Sequence, residues 1–223
     1  MPHPPTRLIE LATEFAVFPL AGALLLPRER LPLNIFEPRY LALVEDALGQ
    51  GRVFGMIQPD VSHPKGPYGP ALFAIGCLGR LVAFSETDDG HYLITLAGLI
   101  RFRTREELPP MRGYRRIKAD FSHFAADLEA PGTAGGVARE PLFAALRAFL
   151  AARGLGADWK ALEALADAEV VATLSMVCPF APTEKQALLE APTEAKRAET
   201  LLALLQMNAY ATTGACEQPP LAS

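Results

Sequence analysis

The feature that most constrains this chain is a change in the period of its apolar residues near position 130. Before it, β-branched and aromatic residues alternate with polar ones between turns rich in Gly, Pro and Asp. After it, Ala and Leu recur at helical spacing. A period of two buries one face of a strand, and a period near 3.6 buries one stripe of a helix, so strands are expected first and helices second. The joint, Glu129-Ala-Pro-Gly-Thr-Ala-Gly-Gly136, has the composition of a linker. We therefore expect an α+β chain with a β subdomain over 1–130 and a helical one over 131–223.

In the first half, Glu14–Pro19, Leu31–Phe36, Val53–Gln58, Leu72–Ser85, His91–Arg103 and Tyr114–Phe121 read as strands. Asp89-Gly90 predicts a tight hairpin between the two longest. Pro38 suits the first turn of a helix, and Tyr40, Leu41, Val44 and Leu48 give that helix an apolar face ending at Gly49 and Gly51. Pro59–Pro70, with four prolines and two glycines in twelve residues, reads as a loop. Short strands around one inserted helix predict a small, partly closed antiparallel barrel, whose closure would keep long apolar strands soluble. In the second half Leu142, Leu146, Phe149 and Leu150 form one stripe, and Leu162, Leu165, Val170, Leu174 and Val177 another, with a break near Asp167. Ala181-Pro-Thr-Glu184 recurs as Ala191-Pro-Thr-Glu194, which predicts two helix starts capped by Thr183 and Thr193, the first as a capping box with Gln186. The last helix should run to about Gly214.

Composition removes several classes of function. Half of the 223 residues are hydrophobic, enough for a packed core. The longest apolar run, Phe15–Leu26, is twelve residues and holds Pro19 and Gly22, too short for a membrane span and without a basic flank. The formal net charge is -4, divided as -1 over 1–130 (14 basic, 15 acidic) and -3 over 131–223 (7 and 10). Such a balance does not draw a chain to nucleic acid or anionic lipid. Cys77, Cys178 and Cys216 are odd in number and lack a CxxC pair, as expected of free thiols in a reducing compartment. The expectation is a soluble, cytoplasmic protein with no membrane partner.

Motifs for chemistry are absent. None of the five serines lies in a Gly-x-Ser-x-Gly elbow, and Cys77 sits mid-strand in an apolar setting that raises a thiol pKa. Ser62-His63 and Ser122-His123 are sequence neighbours, which on a strand point to opposite faces and cannot pair. His3, His63, His91 and His123 are scattered, no HExxH occurs, and no phosphate-cradling glycine loop is present. No catalytic residue, metal ligand or cofactor is assigned, and the chain is expected not to be an enzyme. Two surfaces remain. Arg101, Arg103, Arg105, Arg112, Arg115, Arg116 and Lys118 fall within eighteen residues, the first three at strand period with Phe102 turned to the core. This basic face, Arg101–Lys118, is the alternative reading, an RNA-binding surface, although Glu106 and Glu107 dilute it. The other is Pro32-Leu-Asn-Ile-Phe-Glu-Pro-Arg-Tyr40, a strand-to-helix corner where Phe36, Arg39 and Tyr40 are the candidate peptide-binding residues, by strand addition or hydrophobic capture.

The chain resembles the N-terminal, substrate-recognition domain of Lon proteases as it occurs in free-standing bacterial proteins. The residues that carry the resemblance are Phe18-Pro-Leu-Ala-Gly-Ala-Leu-Leu-Leu-Pro27, Pro32–Tyr40, the pair Gly76–Leu81 and Leu96–Phe102, then Lys185–Glu190 and Arg197 with Glu199. The resemblance implies a PUA-like pseudo-barrel followed by a helical bundle. It further implies a non-catalytic role in recognising unfolded or exposed polypeptide segments, as an adaptor or substrate-binding protein in proteolysis or protein quality control, with a protease or adaptor as partner. ATPase and protease activity are not expected, because the chain holds neither a Walker loop nor room for a protease domain with a Ser-Lys pair.

Overall fold

The computed structural model describes residues 11–129 and 138–213. The expected linker Glu129–Gly136 lies outside them from residue 130 on, as do His3, Cys216, Ser223 and the tail beyond Gly214. Contacts group the chain into two units, one of residues 1–132 with Pro179–Leu189, the other of Thr133–Cys178 with Glu190–Ser223. The expected division at 130 gives all of 131–223 to the helical part; the contacts instead return Pro179–Leu189 to the barrel.

The first unit holds β1 (Glu14–Pro19), β2 (Arg30–Ile35), α1 (Pro38–Gly49), β3 (Val53–Ile57), β4 (Pro59–Asp60), β5 (Ala71–Leu72), β6 (Ile75–Glu86), β7 (Tyr92–Met111) and β8 (Tyr114–Asp120). A 3-10 segment, Ser122–Leu128, follows. The main sheet runs β2-β7-β6-β3-β1-β8, and a further β7–β8 pairing closes five strands into a ring with β2 appended outside it. The twenty-residue β7 makes this possible. Its first half pairs with β2 and β6, and its end, from Arg103 on, pairs with β8, with register shifts inside that pairing between Thr104 and Glu106 and between Leu108 and Met111. One pairing departs from the expected antiparallel barrel: β1 and β3 run parallel, so the sheet is mixed. The crossover β1–β2–α1–β3 is long enough to permit this.

Val17, Phe54, Leu96, Ile100, Phe102 and Ile117 fill the ring and have no exposed surface. Phe102 sets the tightest demand. Its ring packs edge-on to Phe15 with centroids 5.2 Å apart, and a Cβ at Gly76 would lie 2.5 Å from it. Glycine at 76 is therefore the condition for an aromatic at 102. Gly98 answers a similar need, because a Cβ there would lie 2.0 Å from the Leu26 carbonyl oxygen.

The segment that returns to the barrel contains α5 (Pro182–Glu190). Thr183 was expected to cap it. Instead the helix starts at Pro182, two residues earlier than such a cap would give, and the Glu184 carboxylate reaches back to accept the Ala181 N–H at 2.7 Å. Gln186 is thereby released from capping, and its amide donates to the Ile75 carbonyl at 3.0 Å. Gln58, 2% exposed, donates to the Pro182 carbonyl at 2.9 Å and accepts the Gly22 N–H at 3.0 Å.

The second unit holds α2 (Arg139–Ala152), α3 (Trp159–Ala164), α4 (Asp167–Val177) and α6 (Glu194–Thr213). The stripe Leu142, Leu146, Phe149 and Leu150 is buried, as are Leu201 and Leu205 of α6, and α2 packs on α6. The break near Asp167 occurs: α3 ends at Ala164, and the Glu169 carboxylate accepts the Ala166 N–H at 2.9 Å to start α4. Thr193 caps α6 as expected, its hydroxyl accepting the Lys196 N–H at 3.1 Å. Val177, expected in the buried stripe, is 74% exposed.

Candidate functional site

At the end of β2 the chain turns sharply from strand into helix. Glu37 stands at the N-cap in extended conformation with Pro38 behind it, and the Glu37 carbonyl accepts the Tyr40 N–H at 2.8 Å and the Leu41 N–H at 3.0 Å. The turn separates the three expected contact residues. Tyr40 is 5% exposed, its ring centroid 4.1 Å from that of Phe18, and burial pushes its phenol pKa upward. It belongs to the core and cannot itself meet a ligand. Phe36 is 60% exposed, and its ring lies 5.7 Å from that of His91. Arg39, half exposed, donates Nε and Nη2 to one Glu37 carboxylate oxygen at 3.0 and 2.7 Å and stands over the Tyr40 ring at 4.5 Å. The accessible pair is Phe36 and Arg39, with Tyr40 as the floor beneath Arg39.

Side chains that the sequence did not single out extend this corner. Phe84 (41% exposed) and Leu93 (48%) stand on the hairpin of β6 and β7, whose strand ends adjoin β2 through the pairs Ile35–Tyr92 and Tyr92–Glu86. Phe84 packs on Tyr92 with centroids 5.0 Å apart, and the Tyr92 hydroxyl donates to Glu45 at 3.3 Å. The alternation in the hairpin could have assigned Phe84 and Leu93 to faces, but only if the register shift between Leu81 and Ala83 had been visible.

The basic run does not form a free cationic face. Arg101 is 6% exposed; Nε and Nη2 bond the Asp127 carboxylate at 2.9 and 2.8 Å, and Nη1 bonds the Leu189 carbonyl at 3.1 Å. Strand period does put Arg101 opposite to Phe102, yet both are buried, because the 3-10 segment and α5 cover the outer side of β7 here. Arg105 pairs with Asp120, Arg112 with Glu45 and Asp46, Arg115 with Glu107, and Lys118 with Glu14. Five of the seven cations thus have carboxylate partners, which leaves little charge for a phosphate backbone.

The hydrolytic candidates resolve on geometry. Ser62 and His63 do approach each other, with Oγ 3.2 Å from Nδ1, against the expectation for strand neighbours, because they sit in a turn rather than a strand. The contact is nevertheless not a catalytic one. The Ser62 hydroxyl donates to Asp60 Oδ1 at 2.5 Å, and His63 Nδ1 bonds Asp60 Oδ2 at 2.7 Å, so the nitrogen nearest the serine is already engaged by the carboxylate. A general base needs its second nitrogen on the nucleophile. The Asp60 carboxyl is held below the usual range, chiefly by the Ser62 hydroxyl, as in an Asx turn. Cys77 is buried in β6. A cavity of about 260 Å³ between α1, β1 and β8 is lined by Glu14, Phe15, Asp46, Tyr114 and Arg116 among others. No serine, cysteine or histidine is among its lining residues. Tyr114 in it donates to Asp46 at 2.7 Å, and its phenol pKa is pushed up to about 12 by burial and that bond. Among the described residues no group of three or more His, Cys, Asp or Glu could hold a metal ion, and no helix is long and apolar enough to cross a membrane.

A mixed-sheet pseudo-barrel with an inserted helix, followed by helices, defines the class: an α+β pseudo-barrel fold. Residues 14–207 match the family described as the ATP-dependent protease La (LON) substrate-binding domain, and the chain belongs to that family. It is similar to Lon protease 2 of Sorangium cellulosum, 33% identical over 98 residues (42% of this chain, 12% of that protein). Lon protease of Desulfosudis oleivorans is 28% identical over 90 residues, 40% of this chain and 11% of that protein. The matched stretch thus spans only about an eighth of those relatives or less. Among solved structures, a Lon N-terminal domain protein from Xanthomonas campestris has a TM-score of 0.58 at 25% identity, covering 86% of this chain and 98% of that one. The N-terminal domain of a Mycobacterium avium complex Lon protease has the same TM-score at 12% identity, covering 86% and 97%, a likeness of fold.

Proposed function

We propose that this chain is a non-catalytic recognition module of the cytoplasm that binds exposed or unfolded polypeptide segments, acting as an adaptor or substrate-binding protein in proteolysis or protein quality control. Phe36, 60% exposed on a corner whose backbone is fixed from both sides, is the observation that carries this reading. An aromatic held rigidly in water loses little entropy when it meets a ligand, so its apolar surface is available to drive association. Arg39, tied to Glu37, supplies a polar rim, and Tyr40 locks the helix start beneath it. The family supports recognition as the role; the relatives' proteolysis is not carried over to this chain.

The test is fluorescence anisotropy with a reduced, carboxymethylated polypeptide that cannot fold, its folded parent, and a single-stranded RNA of similar size at low salt. Saturable binding to the unfolded polypeptide alone is expected, with a Kd of about 1–100 μM as befits a small interface. Binding to RNA alone, steeply weakened by salt, would replace this reading with the basic-face alternative. No binding to the unfolded chain would end it.

A further inference from the structure

The solvent face of β2, β7 and β6 is unlike the rest of the barrel surface. Asn34, Leu93 and Ser85 stand in one cross-strand row, and Pro32, Thr95 and Ala83 in the next. None carries a charge, whereas the opposite side of the same strands buries Ile35, Ile94 and Leu96. Phe36 continues the face at its end. A solvated antiparallel face ordinarily alternates hydrophobic-in with polar or charged-out, so six uncharged positions, exposed Leu93 among them, with exposed Phe36 at their end mark a surface shaped for contact. Charge gathers at its two ends instead. The turn beyond Leu93 carries Asp88 and Asp89, both exposed, and Arg30 is exposed at the other end of β2.

Size and edge chemistry limit what can lie there. From Arg30 to Phe36 a strand spans about 20 Å, and three strands are about 10 Å wide, giving about 200 Å². That is far below the ~800 Å² per partner of a stable protein interface, so a second copy of this chain does not fit and one extended segment does. The segment lies on the face rather than adding to the edge. Gly98 donates to the Glu29 carbonyl at 2.8 Å, so by ladder alternation the odd positions of β2 bond to β7 and the even ones point outward. Pro32 is an even position without an N–H, and it interrupts the outer row of donors at its middle.

We propose that this face takes an extended polypeptide segment of about six residues, apolar in its middle and basic at one flank, the basic flank lying over Asp88 and Asp89 of the turn. The proposal rests on the recognition reading above and names its substrate class and orientation. Opposite charge at the flank sets register and discriminates against acidic segments, while Phe36 and Leu93 supply the apolar contact.

Two labelled octapeptides test it, with the same Val-Phe-Leu-Val-Phe-Leu and either two lysines or two glutamates at one end only, titrated with the full chain. The lysine-flanked peptide is expected to bind about tenfold more tightly at 50 mM salt, the gap narrowing to about twofold at 500 mM. Asp88→Lys with Asp89→Asn should abolish the preference, and Phe36→Ser with Leu93→Ser should weaken both peptides at least tenfold with the thermal unfolding of the protein unchanged. Equal affinity for the two peptides overturns this proposal and leaves the recognition reading standing. Undiminished affinity in Phe36→Ser with Leu93→Ser also overturns it, because the segment then binds elsewhere. No binding of either peptide at 1 mM overturns both.

Discussion

Two outer faces of the same barrel are treated in opposite ways by the chain. Beside Arg101 the wall of β7 and β6 is covered by the chain itself, through the 3-10 segment and α5, and its buried groups are polar: Arg101, Asp127, Gln58 and Gln186. Over β2, β7 and β6 the wall is left open among the described residues, and its exposed groups are apolar or uncharged. Where the chain covers itself with a helix that arrives from more than fifty residues away, it uses hydrogen bonds of fixed geometry, which admit one docking position. Where it leaves the wall open, it uses non-directional contact, which admits many sequences. The difference separates a seal from a recognition surface.

The largest expected effect lies in the seal. Asp127→Ala leaves the Arg101 guanidinium buried without its carboxylate and should lower stability by about 3–5 kcal/mol in urea unfolding. Arg101→Met with Asp127→Leu should recover most of that loss, since two apolar side chains leave no charge stranded. If the double variant is as unstable as the single one, the pair has a structural role beyond its charges. Gln186→Ala comes next, at about 1–3 kcal/mol, because the Ile75 carbonyl would lose its donor inside the barrel wall. A value near zero would show that α5 is held by packing alone.

Acid should loosen the seal. Asp120, which starts the 3-10 segment, has its carboxyl pKa pushed down to about 2, first by the Ser122 N–H, then by the Ser122 hydroxyl and Arg105. A carboxyl depressed in the folded state stabilises fully above its ordinary pKa of 3.8 and ceases to do so as pH falls through the lower value. The urea midpoint should therefore fall between about pH 4 and pH 2, and Asp120→Asn should make that fall shallower. An unchanged slope would mean that the group titrates alike in folded and unfolded chains.

The two faces were unequally legible in the sequence. The ring was readable because its strands alternate and Asp89-Gly90 and Pro38 carry strong local signals; β1 and α1 fall where the residues place them. The parallel β1–β3 pair was not, since alternation gives faces but no partners. Nor was the seal. Gln186 reads as half of a capping box with Thr183, and only the helix start at Pro182 frees it for Ile75. Arg101 reads as one of seven basic residues until Asp127, twenty-six positions later, is brought to it. At the corner, Phe36 and Tyr40 read alike as candidate contact residues, but the helix begins between them and turns Tyr40 inward.

The smallest effect on stability should come from the open face, and it is the sharpest test of the comparison. Phe36→Ser places a polar group where 60% of the residue already meets water, so unfolding should shift by no more than about 0.5 kcal/mol. Binding of an unfolded polypeptide should nevertheless weaken by about tenfold, since an exposed aromatic anchor typically contributes more than 1 kcal/mol at an interface. A seal residue should show the reverse: large loss of stability, with affinity unchanged for the fraction that remains folded. If Phe36→Ser instead destabilises the protein by several kcal/mol, the aromatic is holding the strand-to-helix corner together. The open wall would then be as much a part of the protein's own architecture as the sealed one.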